Sequence, residues 1–502
     1  MRTKLALKNT IASLILQVIT AISGLIIPRF FTTQYGSAVN GLVSSISQFI
    51  LYMGLVEAGI SAAATVSLYK PLVEQKFSEI NEVLSAAKLF YRRSGLMYLI
   101  LLAGLLIFYP KVVASETIDI PFIQMMIIVL AANSVIDYFI LGKYRVLLLA
   151  DQRSYIISIA QIIGVILTTI SSIILIQMNA NAIIVKAVAS IVYLLRTIFI
   201  VWFVKRNYKY LDLSMPPRKA AFSQRRNVLL HQIAGMICNN TDIIVLTIFL
   251  GSRGLVLASI YTLYNLVAYA VTNLFESLSL GVRSSFGHLM SEKDNDRLEE
   301  VYGLFEFTYL ILLFVVYTCM GILLQPFIEL YSKSFSDAEL YSNMVYVVLF
   351  TLIGLVQNFR IPGSTIHVAA GHFKETQSAA IIEATINLVL SLTLVPTFGI
   401  AGVLIGTLMS YIYRTSFTIW YTNKYFFKGS LKKTILRACR SVSISMMIII
   451  PALHLLTPRI STWSNWFVSG TGLFLIATLF IGGINVLIEP KVARHLLQRF
   501  KR

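Results

Sequence analysis

Residues 155–206 read YIISIAQIIGVILTTISSIILIQMNANAIIVKAVASIVYLLRTIFIVWFVKR. Two apolar runs, 155–177 and 181–205, flank a three-residue break. Each run reaches the roughly 20 residues a helix needs to cross a bilayer core. The break is too short for anything but an antiparallel hairpin. Asp151 and Arg153 lie before the hairpin, and Lys205 and Arg206 close it. Its two ends therefore share one polar side.

The same pattern continues in both directions. Apolar spans fall at 8–32, 39–66, 86–108, 121–143, 155–177, 181–205, 224–250, 255–279, 303–326, 341–359, 376–396, 401–424, 434–456 and 466–487. The chain of 502 residues is 57% hydrophobic and only 13% charged. It reads as an all-α polytopic membrane protein of about fourteen transmembrane helices. The first span is longer than a signal-peptide core and no small-residue cleavage site follows it. Lipidation signals are absent.

A net charge of +19 raises the question of nucleic acid. The distribution answers it. Of 42 Lys and Arg, 34 fall in the N-terminus, the even-numbered breaks and the C-terminus. Six (Arg29, Lys111, Lys186, Arg253, Lys333 and Arg459) fall on or near the other side, and Arg196 and Arg414 lie inside spans. This is the positive-inside asymmetry, which places both termini in the cytoplasm of a bacterial or archaeal cytoplasmic membrane. The basic excess serves topology and anionic membrane lipids, with no role for nucleic acid. Cys238, Cys319 and Cys439 lie in or beside spans and suit buried small residues better than disulfides or metal ligands.

Loops on the outer side are short, the longest being 109–120 and 327–340, with no paired carboxylates or metal-ligand set. That argues against an enzyme such as a polymerase or ligase. On the inner side, 67–85 reads as an amphipathic segment and 291–302 (SEKDNDRLEEVY) as a charged helical extension. Residues 206–225 contain Pro216-Pro217 among Arg218, Lys219, Arg225 and Arg226, a stretch that resists helix and stays in water. It follows six spans. The expected division is an N-terminal lobe 1–205, a linker 206–225, a C-terminal lobe 226–424, and an appendix 425–502 with two helices and a basic tail.

An internal repeat supports two lobes. Residues 149–197 begin LADQRSYIISIAQIIGVILTTI and end at Arg196-Thr197. Residues 369–415 begin AAGHFKETQSAAIIEATINLVL and end at Arg414-Thr415. Ala150 precedes Arg196 by 46 residues, and Ala370 precedes Arg414 by 44. A second echo pairs Gly36 and Glu57, 21 apart, with Gly254 and Glu276, 22 apart. Six spans per copy gives both copies one orientation, an arrangement that builds transporters rocking around a central site.

At these residues the chain resembles the polysaccharide-transport (Wzx-type) branch of the multidrug/oligosaccharidyl-lipid/polysaccharide flippase superfamily. The likeness rests on LVEAGISAAATVSLYKPL at 55–72, NNTDIIVLTIFLGSRG at 239–254, and the unit 367–415 with Gly371, Asn387, Pro396 and Gly399. The resemblance covers essentially the whole chain. It implies two six-helix lobes around a central cavity. It implies a polyprenyl-diphosphate-linked oligosaccharide as cargo, moved to the outer leaflet for surface polysaccharide. Glycosyltransferases and a polysaccharide polymerase are the implied partners.

An ionisable residue inside the bilayer costs about 2.5–3.5 kcal/mol on insertion scales, so each requires a reason. Arg29, after Pro28, either snorkels to the headgroups or faces the cavity as a cation for a diphosphate. Glu57 and Asp242 border the expected cavity, where a carboxylate binds a coupling ion (H+ or Na+), pairs with Arg29 or Arg283, or locks helices together. Asn239 precedes Asp242 in a polar run. Glu276 and Arg283, seven residues apart, share a helix face as an interfacial pair or gate element. Asp137 and Glu383 read as partners for Arg196 and Arg414, a structural role that the repeat suggests. Arg360 reads as positive-inside charge, and Lys186 as snorkelling. His231, His288, His367 and His372 show no metal spacing. No cofactor is expected. Gly402 and Gly406 form a small-residue face for close packing within a lobe.

These readings favour a lipid-linked oligosaccharide flippase working by alternating access. No GxxxxGK[ST] phosphate loop is present to use ATP directly. The competing readings are a cation-coupled drug or metabolite exporter and a peptidoglycan lipid-precursor flippase.

Overall fold

In a computed structural model that describes residues 2–57, 59–217, 235–237, 240–292, 294–427 and 429–492, no strand occurs among those residues. The chain is an all-α polytopic membrane protein. Among the described residues, 11 helices are long and apolar enough to cross a membrane. Two of them, α1 (Arg2–Met53) and α8 (Asp242–Glu292), are bent in the middle. The bends lie at Gly36 (φ 81°) and Gly251 (φ 56°), conformations that disfavour any L side chain. Each bent helix reads as two crossings, and the count is compatible with fourteen. The sequence pairs Gly36 with Gly254, but the second bend is at Gly251. Gly254 instead lies flush against Leu246, whose carbonyl oxygen would sit 2.4 Å from an added Cβ.

Contacts divide the chain into two compact units, Met1–Ser259 and Ile260–Arg502, the boundary falling inside α8. In the first unit α1 is followed by a 3-10 turn (Gly54–Glu57), α2 (Ile60–Val73) and α3 (Phe77–Val113). Helix α4 (Ile120–Ile136) runs through a π turn (Asp137–Leu141) into α5 (Gly142–Ala150). An antiparallel pair, α6 (Ser154–Gln177) and α7 (Ala182–Asn207), completes the run before α8. Asn9 ties the start of α1 to the α5–α6 turn, its Nδ2 donating to Gln152 O at 2.9 Å. At the far end, Gln34 donates to Asn179 Oδ1 at 2.9 Å. These ties define a basic end, with Lys70, Lys88, Arg153 and Lys205, and an opposite end.

The packing inverts that of a soluble bundle. Ile163, Ile166, Ile170 and Ile174 of α6 point outward, while Ala160 and Ser172 are buried. Small and polar residues let helices approach, and lipid receives the large apolar ones.

The second unit continues with α9 (Asn295–Ser332), α10 (Met344–Phe359), α11 (Ile361–Ala369), α12 (Gln377–Phe398), α13 (Ile400–Tyr425), α14 (Ser430–Leu455), α15 (Trp463–Ala477) and α16 (Gly483–Ile488). Its middle repeats the first unit. Helices α5 and α11 both have 9 residues, and α7 and α13 both have 26. Left-handed residues mark the same two turns in each: Gln152 and Asn179 (φ 57° and 55°), then Gly371 and Gly399 (φ 74° and 54°). Gly402 and Gly406 of α13 lie flush on α12, where added Cβ atoms would meet Leu394 O at 2.7 Å and Ser391 Oγ at 2.6 Å.

The expected amphipathic segment at 67–85 is the end of α2, a short turn and the start of α3. The expected extension at 291–302 is the end of α8 and the start of α9, which Asp294 caps through Arg297 N at 3.0 Å. Beyond α7, residues 208–213 strap across α3. Asn81 Nδ2 donates to Tyr210 O at 2.9 Å, and Lys88 Nζ to Leu213 O at 3.3 Å. Burial, with the Asp151 carboxylate accepting its hydroxyl, raises the Tyr208 phenol above its ordinary range. The rest of the linker, with Arg218, Lys219, Arg225 and Arg226, and also His231 and Cys238, lies outside the described residues.

Candidate functional site

A cavity of about 870 Å³ opens in the first unit toward its basic end. Its walls come from the 3-10 turn, α2, the end of α5, and Gly235, Met236 and Asn240. Glu57, Ser61, Thr65, Tyr69 and Asn240 supply its polar groups, beside Gly54, Gly59, Ala62 and other small or apolar residues. Glu57 is the ionisable carboxylate among these lining residues. Local structure places it there. The helix of α1 tightens after Met53 into the 3-10 turn. Ser94 Oγ holds that turn by donating to Val56 O at 3.1 Å, and Gly59 (φ 81°) restarts the helix as α2.

Behind Glu57 stands an ion cluster. Arg145 of α5 reaches Glu57 Oε1 with Nη2 at 3.1 Å and Asp137 Oδ2 with Nη1 at 3.1 Å. Tyr91 donates to Glu57 Oε1 at 2.9 Å, and Tyr193 donates to Asp137 Oδ1 at 2.5 Å. Gly142 makes the cluster possible. A Cβ there would meet the Tyr91 ring at 2.6 Å. Two carboxylates thus share one guanidinium, with phenol hydroxyls satisfying remaining lone pairs, as buried charge requires.

The sequence offers Arg196 as the partner of Asp137, but Arg145 takes that place. Arg196 lies over the Tyr193 ring at 4.2 Å. Glu57 likewise pairs with Arg145, a partner that the sequence reading did not offer it. Arg145 escaped the sequence reading because the fourth span was ended at 143. The signal was Val146-Leu147-Leu148, which continues the apolar helix and carries Arg145 back among the spans.

The second unit holds its own clusters. Arg360 Nη1 contacts Glu383 Oε1 at 2.5 Å, and Arg414 Nε lies 3.6 Å from Glu383 Oε2. Arg360 is therefore an ion-pair partner as well as an end charge. Arg414 also donates to Thr376 O at 2.9 Å. A longer network, missed in the sequence, joins α14 and the segment after α16 to α9. Arg437 contacts Glu306 at 2.8 Å and Glu489 at 2.6 Å, and Arg440 contacts Glu489 at 2.8 Å. Its residues sit at span ends, where the sequence pattern shows ordinary interfacial charge.

The remaining candidates are dispersed. Arg29 is half-buried in α1, its carbonyl accepting from Thr33 Oγ1 at 2.9 Å. Asp242 is buried in the first turn of α8, where the helix dipole favours a carboxylate. Asn239 lies outside the described residues. Glu276 is exposed on α8, and no ion pair joins it to Arg283 among the described residues. Lys186 rests with Nζ 4.3 Å over the centre of the buried Phe31 ring. His367 and His372 bond Thr422 and Tyr421, each at 2.9 Å. No cluster of three or more His, Cys, Asp or Glu suited to a metal occurs among the described residues. Asn387 Oδ1 and Ser391 Oγ, one turn apart on α12, are buried with no hydrogen-bond partner among the described residues. They are neutral oxygens of the kind hard cations accept.

This architecture has solved counterparts. A lipid II flippase MurJ in an inward closed conformation aligns over 95% of this chain and 98% of its own, with a TM-score of 0.68 and 16% identity. An inward-facing multidrug resistance MATE family transporter of the MOP superfamily aligns over 82% of this chain and 96% of its own, with a TM-score of 0.63 and 15% identity. A MOP superfamily transporter from Pyrococcus furiosus aligns over 86% and 96%, with a TM-score of 0.55 and 16% identity. The chain has the MOP transporter fold. No family model matches the sequence, and no curated protein matches it.

Proposed function

We propose that this protein is a flippase that carries a polyprenyl-diphosphate-linked oligosaccharide from the inner to the outer leaflet, for surface polysaccharide. The observation that carries this reading is the cavity of about 870 Å³ at the basic end of the first unit. Its size is within the usual range for ligand sites, about 300–1,000 Å³. Its hydroxyls, its amide, the Tyr69 ring and one carboxylate suit the hydroxyl-rich headgroup of an oligosaccharide. The positive-inside rule turns the basic end to the cytoplasm, so the cavity opens where such cargo is made. Both termini lie there too, in a bacterial or archaeal cytoplasmic membrane. The prenyl tail stays in lipid beside the cavity. In this reading Arg29 meets the diphosphate, Asp242 serves a coupling ion, and Glu276 and Arg283 line the route. The division into lobes 1–205 and 226–424 with an appendix 425–502 is the frame that alternates. Anionic lipids hold the basic end, and glycosyltransferases and a polymerase supply and consume the cargo.

The test is depletion of the protein in its host. Lipid-linked oligosaccharide should then accumulate on the inner face and disappear from the outer one. Equal outer accessibility after depletion would sink the proposal.

A second reading is transport of a peptidoglycan lipid precursor. The likeness to the lipid II flippase favours it, because that likeness covers 95% of the chain against 82% for the MATE transporter. Rescue of a strain depleted of its lipid II flippase would decide for this cargo.

A further inference from the structure

At the opposite end of the first unit, the second half of α1 meets residues 247–259. Gly41 and Leu255 touch there through backbone. A Cβ on Gly41 would lie 1.7 Å from Leu255 O, 2.6 Å from its carbonyl carbon and 3.2 Å from its Cα. No rotamer change relieves such an overlap, because every atom concerned belongs to main chain. On either side of this contact stand polar bonds. Asn40 Nδ2 donates to Ser259 Oγ at 2.8 Å. Ser45 Oγ and Thr247 Oγ1 are 2.8 Å apart and fully buried, and Tyr109 OH donates to Ser45 Oγ at 2.7 Å. Gly41 and Leu255 follow the two bends, Gly36 and Gly251, by five and four residues, so the contact can part by pivoting there without unwinding either helix.

We propose that Gly41 is the gate residue of the opposite end: its missing side chain lets α1 close on Leu255, and any side chain there holds that end open. The inference rests on the transporter reading for its purpose, but the closure itself is tested without cargo. Hydroxyl and amide bonds suit a closure that must open, since water replaces them when they part. A closure of large interdigitated apolar residues would resist opening more strongly.

The experiment uses the full chain with Cys238, Cys319 and Cys439 changed to Ser. Ser259→Cys reports the closure through a membrane-impermeant maleimide applied to intact cells. With Gly41 present, labelling should be slow. With Gly41→Leu, labelling should rise at least about fivefold, as a minor open state becomes the main one. Equal labelling with and without Gly41→Leu, in proteins of equal melting temperature, overturns the proposal. If Gly41→Leu does not fold, the pair Asn40→Cys with Ser259→Cys decides. Oxidation should join the two and leave Thr65→Cys in the cavity reachable in inside-out vesicles. Failure to join overturns the proposal. Loss of the flippase reading would appear separately, as unchanged surface polysaccharide on depletion, with these labelling results intact.

Discussion

Asp137 and Arg360 end comparable helices in the two halves of the molecule, and they carry opposite charge. Each caps the helix before a nine-residue helix, α5 or α11. In the first unit, Arg145 serves two carboxylates, Glu57 and Asp137. In the second, Glu383 serves two guanidiniums, those of Arg360 and Arg414. One cluster has an acid in surplus and the other a base. The acidic one reaches the cavity of its own unit through Glu57. Duplication kept the backbone and the need to pair charge in lipid. It left the sign free, because a buried pair works with either order of partners.

The central member of each cluster should matter most. Replacing Arg145 by Met leaves two carboxylates close together without a cation. Stability should fall by about 3–5 kcal/mol, read as thermal unfolding in detergent. Restoration by combining Arg145→Met with Glu57→Gln and Asp137→Asn would confirm that charge, not shape, is responsible. An unchanged melting temperature for Arg145→Met alone would break the comparison.

Central Glu383 and peripheral Asp137 should differ from each other. Glu383→Gln leaves Arg360 and Arg414 facing each other and should cost about 2–4 kcal/mol. Asp137→Asn leaves a balanced Glu57–Arg145 pair and should cost under about 1 kcal/mol. Equal losses in the two variants would show that the surplus charges have no energetic meaning.

The shared turns give a smaller effect. Gly399 has φ 54° and ψ −125°, whereas Asn179 at the matching turn has φ 55°. Gly399→Ala should lower stability by about 1–3 kcal/mol, since that region is strained for any side chain. Gln152→Gly, which relieves a left-handed residue, should raise it by about 1 kcal/mol. Opposite signs in chemical denaturation would support the match between the two copies.

An exposed pair supplies the control. Lys76 Nζ lies 2.7 Å from Glu74 in the turn before α3, and its hydrogen bond holds the Glu74 carboxyl below the usual carboxylate range. A depressed acid stabilises the fold above its unfolded pKa, and that contribution disappears as pH falls through the lower folded value. Glu74 is fully exposed, so acid titration should leave melting almost unchanged. Lys76→Ala should move the Glu74 titration upward in labelled-carboxyl NMR. A large melting shift on Lys76→Ala would erase the contrast with the buried clusters.

Much of this was legible in the chain itself. The apolar runs and the Lys/Arg alternation determined an all-helical membrane bundle, because lipid forces every backbone group into a helix or a closed barrel. The echo ending at Arg196 and Arg414 announced the repeat whose helix lengths and left-handed turns match in the structure. Glu57, Asp137 and Glu383 stood out as charges that lipid does not tolerate alone. Two of their partners did not, since Arg145 and Arg360 sit at span ends, where positive charge is the rule. Which arginine bends back among the helices depends on a π turn, a 3-10 turn and the space beside Gly142. The close approach of Gly41 to Leu255, more than two hundred residues away in the chain, was equally invisible. Hydropathy and charge are one-dimensional properties that lipid reads directly, so the sequence alone determined the spans and the cost of each buried ion. Pairing and closure depend on distances between helices, and those exist only once the bundle has packed.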